Sequence, residues 1–180
     1  MRIDSQNTLT LIVDIQERLF PHMYKKEDFL ETSIKLVKGL KLLDIPILVN
    51  EQYKKGLGET IAPLIEELQS TKSFEKVTFS CCKNDSTLSE IRKLNKKFVI
   101  VFGIEAHICV LQTIIDLKNE GFVPVLVEDA TTSRKPNDKE VAIKRALSEG
   151  AILTTCESLL FELCASAKHE AFRDISKLIK

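Results

Sequence analysis

A cysteine that opens a helix just after a buried strand is placed for nucleophilic chemistry, and Cys109, six residues past the apolar run Phe98-Val99-Ile100-Val101-Phe102-Gly103, has that setting. The unpaired N–H groups and the dipole of a first helical turn favour a thiolate, the form that attacks a carbonyl carbon. Free cysteine is also among the most buried residue types, so a small apolar core residue is the competing role. Asp14 ends the run Thr8-Leu9-Thr10-Leu11-Ile12-Val13. From the carboxyl edge of a sheet its carboxylate would serve as a general base, or it would cap the turn that follows. Lys76, alternating with apolar neighbours in Phe74-Glu75-Lys76-Val77-Thr78-Phe79, reads by itself as the polar outer face of a strand. Cys81, Cys82, Cys156 and Cys164 lack the position of Cys109 and read as structural.

The elements that must hold these residues follow from periodicity. Short β-branched runs alternate with segments of helical period, which argues for an α/β protein built on a parallel sheet of about six strands. The pattern predicts strands at 8–13, 47–49, 74–79, 98–102, 125–127 and 151–154. It predicts helices at 28–43, 61–68, 87–94 (capped by Ser86), from 104 through 117, at 138–149 and in the tail from 161 to 180. Gly121 and Gly150 are placed to stop two of these helices. The stretch 51–60, with Lys54-Lys55-Gly56-Leu57-Gly58, lacks a periodic pattern and is a candidate functional loop. No repeat, linker or compositional shift divides the chain, so residues 1–180 read as one domain. In such sheets chemistry lies beyond the carboxyl ends of the strands, near Asp14, 50–52, 103–109 and 129–134.

Composition argues against several classes of function. Twenty-six Lys and Arg balance twenty-six Asp and Glu, so no global field draws a nucleic acid. No apolar run approaches the roughly 20 residues of a membrane helix, and no secretory h-region opens the chain. An odd set of five cysteines without regular spacing does not suggest a disulfide framework; reduced thiols in the cytoplasm are expected. With three histidines, no Cys-x-x-Cys pair, no dinucleotide fingerprint and no phosphate loop, neither a metal nor a cofactor is expected.

Three segments taken together carry a resemblance: Ile12-Val13-Asp14-Ile15-Gln16, Phe74-Glu75-Lys76, and Gly103-Ile104-Glu105-Ala106-His107-Ile108-Cys109-Val110. With Glu128-Asp129-Ala130, Ser133-Arg134 and Gly150-Ala151-Ile152-Leu153-Thr154-Thr155 they resemble the isochorismatase-like cysteine hydrolase family over nearly the whole chain. The loop 50–58 is similar to the branch of isochorismatase-domain-containing proteins. The resemblance implies a three-layer αβα, Rossmann-like sandwich and a Cys-Asp-Lys triad that falls on Cys109, Asp14 and Lys76. Asp14 would carry the thiol proton to a leaving amine, Lys76 would stabilise the thiolate, and the Cys109 acyl-enzyme would be released by water. A cis peptide at Ile104–Glu105 would aim the N–H groups of Glu105 and Cys109 at the oxyanion.

The departures from the family pattern matter equally. Where nicotinamidases carry an Asp-x-His metal motif this chain has Glu51-Gln52-Tyr53, and a cysteine nucleophile does not suit the vinyl ether of isochorismate. The expected activity is therefore metal-independent hydrolysis of a small amide or related carbonyl C–N bond. Loop position makes Gln16, Phe20, Glu51, Gln52, Phe79 and His107 candidate pocket walls. The family also implies a homo-oligomer acting on a small-molecule substrate, while charge balance and the short apolar runs argue against nucleic-acid and membrane partners. The alternative on the same fold is a redox-sensitive thiol or oligomeric interaction protein without catalysis.

Overall fold

The computed structural model describes residues 1–69 and 71–180. Its centre is a wholly parallel sheet of six strands: β1 (Thr8–Val13), β2 (Ile47–Gln52), β3 (Ser73–Lys76), β4 (Phe98–Gly103), β5 (Val123–Thr131) and β6 (Ile152–Thr154). The spatial order is β3-β2-β1-β4-β5-β6, a doubly wound arrangement whose order reverses beside β1. β1 and β4 are buried along their full length, as expected of central parallel strands covered on both faces.

Strand pleating sorts their side chains into two cores. Ile12, Ile100 and Phe102 meet α1 (Lys26–Leu42), α7 (Cys156–Cys164) and α8 (Phe172–Ile179) on one face, with α3 (Ala62–Leu68) beside α1. Leu9, Leu11, Val99 and Val101 meet α4 (Asp85–Leu94), α5 (Leu111–Asn119) and α6 (Pro136–Ser148) on the other. A single-turn helix, α2 (Lys54–Leu57), interrupts the loop after β2. These are the three layers of an αβα sandwich.

Several boundaries differ from the periodicity. The capping side chain of α4 is Asn84, which accepts from the Thr87 N–H at 3.0 Å, so that helix begins before Ser86. The tail is two helices rather than one, because Ala165 turns left-handed (φ 60°) at the end of α7. β3 ends at Lys76, and 77–79 leave the sheet. Lys76 also faces inward and not outward: β3 alternates exposed and buried with Phe74 and Lys76 on the inner side, and Lys76 is only 1% exposed. An edge strand of four residues has too few alternations for the sequence to tell which face is covered.

Candidate active site

The carboxyl ends of β3, β2, β1 and β4 lie side by side, and each contributes to one buried polar cluster. Asp14 leaves β1 in the left-handed region (φ 52°), a conformation that Asp and Asn tolerate better than most residues. The turn swings its carboxylate off the strand while its N–H still donates to the Asn50 carbonyl at 3.0 Å. Lys76, ending β3, donates from Nζ to Asp14 Oδ2 at 2.7 Å, with both side chains fully buried. The same ammonium donates to Gln52 Oε1 at 2.8 Å, the Phe79 carbonyl at 3.0 Å and the Thr78 carbonyl at 3.3 Å. Its three protons are thus fully engaged. Asp14 Oδ1, by contrast, receives no hydrogen bond from the described residues.

Cys109 reaches this cluster from the far side of β1. Gly103 ends β4 with φ 130°, and a Cβ there would fall 2.1 Å from the Val13 carbonyl oxygen, so only glycine allows the two strand ends to approach this closely. The next residue, Ile104, donates its N–H to that same carbonyl at 2.9 Å. The Ile104–Glu105 peptide is cis, and a π-helical turn over Ala106–Val110 then carries Cys109 into α5. Thr113, one turn on, donates from Oγ1 to the Cys109 carbonyl at 2.7 Å and accepts the Cys81 N–H at 3.0 Å. The segment after β5 clamps the turn from outside. Ala106 N–H donates to the Thr132 carbonyl at 2.9 Å, and the buried Glu105 carboxylate accepts from Arg134 N–H at 3.1 Å and Arg134 Nε at 3.0 Å.

Burial lifts the Asp14 carboxyl to about 6, against the pull of the Lys76 cation; the charge of Glu51 adds to the lift. Burial also opposes the Lys76 ammonium, but the charge of the Asp14 carboxylate leads the effects that hold the lysine above its ordinary range, and its hydrogen bond adds to them. Cys109 is pushed well above the usual thiol range by burial first and by Asp14 second, with Lys76 countering. The expectation of a standing thiolate at a helix start therefore gives way to a neutral thiol beside an ionised carboxylate, because desolvation in this 7%-exposed position exceeds the helix effect.

Of the other sequence candidates, Gln52 and Phe79 touch Lys76, the latter through its carbonyl. The Phe79 side chain is half exposed and lines a cleft of about 440 Å³ with Thr78, Ser80, Gln112 and Asp116. Gln16 is fully buried behind Gln52. Glu51 points to the opposite face of β2, where Oε1 accepts from the Thr60 N–H and hydroxyl at 2.8 and 2.9 Å and Oε2 lies 3.2 Å from Lys54 Nζ. Phe20 stacks near Phe29, ring centroids 6.3 Å apart, on the α1 side. His107 sits on the nucleophile turn with Nδ1 3.0 Å from Ser133 Oγ. Thr113 and Thr78 carry little signal in the sequence beyond the four-residue spacing of Thr113 from Cys109, one helical turn, and Cys81, expected to be structural, lies close enough to bear on Lys76. Among the described residues no group of three or more His, Cys, Asp or Glu side chains could hold a metal ion.

Comparison with known proteins accords with this architecture. The isochorismatase domain matches residues 8–158. Isochorismatase family protein 1A of Dictyostelium discoideum is 37% identical over 180 residues, covering 97% of this chain and 87% of that protein. A structure described as MAR1 ribonuclease from Caenorhabditis elegans superposes with a TM-score of 0.94 at 37% identity, over 99% of this chain and 92% of that one. An Escherichia coli protein described as an octameric hydrolase of unknown specificity gives a TM-score of 0.91 over 99% of this chain and 95% of its own; at 19% identity it shares the fold alone. With its sheet order, its site-bearing strand ends and this domain match over most of its length, the chain belongs to the isochorismatase family.

Proposed function

We propose that this chain, acting as one domain of 180 residues, is a metal-independent cysteine hydrolase that cleaves a small amide or related carbonyl C–N bond. The observation that carries the reading is the buried Asp14–Lys76 pair, which leaves one carboxylate oxygen without a hydrogen bond in a cluster that also holds the Cys109 thiol. As Cys109 Sγ attacks the carbonyl carbon, Asp14 takes the thiol proton and the carbonyl electrons move onto oxygen. Backbone N–H groups of Glu105 and Cys109 receive that oxyanion. Collapse breaks the C–N bond, and the departing amine takes the proton from Asp14. A water molecule then attacks the thioester, giving its proton to Asp14, which returns it to the Cys109 sulfur as the acid leaves. Lys76 keeps Asp14 ionised and offsets the negative charge throughout.

The test is a panel of small amides with acid quenching and peptide mass spectrometry. An acyl adduct on Cys109, absent in Cys109→Ala and lost with turnover in Asp14→Asn, is expected; turnover surviving in Cys109→Ala would sink the reading. The pH profile should rise through about 6 as Asp14 ionises. RNA is expected to stay uncut by the same preparation. The chain has zero formal net charge, and Lys76, the cation of the cluster, has every proton engaged within the protein. The reading includes a homo-oligomer, supported by the exposed apolar side chains of Val77, Phe79 and Tyr53 around the β3 edge. It also includes a reducing, cytoplasmic setting, supported by five free cysteines. No helix among the described residues is long and apolar enough to cross a membrane.

A further inference from the structure

Of the four acceptors around the Lys76 ammonium, Asp14 alone is charged. Gln52 is the other side chain among them, and its orientation is fixed. Its Nε2 donates to the Val77 carbonyl at 2.9 Å, which can only accept, so Oε1 must face the ammonium. The Gln52 backbone is fixed as well. Its N–H donates to Gln16 Oε1 at 2.7 Å, and its carbonyl accepts from Gln16 Nε2 at 3.0 Å, which also donates to the Gly58 carbonyl at 2.7 Å. The buried Gln16 amide thereby supplies the donor and acceptor of a strand residue, continuing the β1–β2 ladder past the point where Asp14 turns the backbone away.

We infer that Gln52, set in place by Gln16, is a positioning residue that anchors the Lys76 ammonium through a neutral acceptor, so that Asp14 keeps the cation to itself. This rests on the hydrolase reading above. The charged and titratable groups around Lys76 come from three elements: Asp14 after β1, Cys81 in the turn after β3, and Cys109 in the π-helical turn. Glu51, on the opposite face of β2, bears on Asp14. A second carboxylate at position 52 would share the cation and raise the proton affinity of Asp14.

The experiment follows Cys109 alkylation by iodoacetamide in the full-length chain as a function of pH, by peptide mass spectrometry. Gln52→Glu is expected to move the acid limb upward by about one pH unit, making alkylation roughly tenfold slower at pH values below the limb. Gln52→Met and Gln16→Met, which remove the anchor without adding charge, are expected to lower the plateau several-fold with no upward movement of the limb. A folded Gln52→Glu protein with an unmoved limb would overturn the inference. If Gln52→Glu shows no cooperative melt, the two methionine variants decide, and wild-type plateaus in both would overturn it. A wild-type Cys109 no more reactive than Cys82 and insensitive to Lys76→Met would instead sink the hydrolase reading on which the inference stands. Normal Lys76 dependence without any effect at Gln52 would remove this inference alone.

Discussion

A lysine and an aspartate with no solvent contact are costly to desolvate, and their mutual attraction offsets that cost only while both are present. Lys76→Met leaves the Asp14 carboxylate buried without its cation and is expected to lower unfolding free energy by about 3–5 kcal/mol at neutral pH. Adding Asp14→Asn, which keeps the left-handed turn and removes the orphaned charge, should recover much of that loss without restoring activity. Urea titration of the two single variants and the double variant checks this; a double variant less stable than Lys76→Met would contradict the charge argument. The sign of the pH effect is also fixed. Because the folded Asp14 carboxyl sits at about 6, above the ordinary 3.8 of an exposed aspartate, its contribution to stability is fully present below 3.8 and is lost as pH rises through about 6. Under the proposed mechanism activity is expected to follow the opposite course, rising over the same window as Asp14 ionises. Asp14 and Cys109 were legible as residues because each follows a long apolar strand. Lys76 was not, since one lysine among alternating residues looks alike on a solvent face and a buried one; only the family resemblance singled it out.

At the scale of elements, the site depends on how closely two strand ends meet. β1 and β4 pair over six residues, and at the last pair Gly103 lies against Val13 with no room for a side chain. Gly103→Ala must either push Ile104 off the Val13 carbonyl or distort a φ of 130°, a region closed to alanine. A loss of at least about 2 kcal/mol is expected, together with a fall in turnover larger than that of Gly121→Ala, which shares the strain of a positive φ (88°) but would place its Cβ against nothing within 4 Å. Comparing the thermal melts and initial rates of the two alanine variants tests the claim. Periodicity revealed the alternation of strands and helices, the stop glycines and the existence of six strands, because two-sided burial imposes continuous apolar runs. It missed the shortness of β3 and the break before α8, where hydrogen bonds from distant residues and a left-handed alanine decide the outcome.

For the whole molecule, the proposed homo-oligomer points to the exposed apolar side chains beside β3 as its interface. Val77 is 76% and Phe79 52% exposed, and burial of both against a second copy would remove that apolar surface from water. In light scattering, Val77→Asp with Phe79→Asp is expected to reduce the mass toward the 20.4 kDa of one chain; an unchanged oligomer would place the interface elsewhere. The parallel sheet has a further consequence. Lys76 and Asp14 are 62 positions apart in sequence, and the strand that delivers Lys76 has four residues, lies at the sheet margin and, among the described residues, pairs with β2 alone. Such a margin frays before a centre opens. Gentle warming or low denaturant should therefore abolish the proposed hydrolysis while the far-ultraviolet circular dichroism of the helices is still native, so that the short strand at the sheet margin acts as the arming pin of the proposed chemistry.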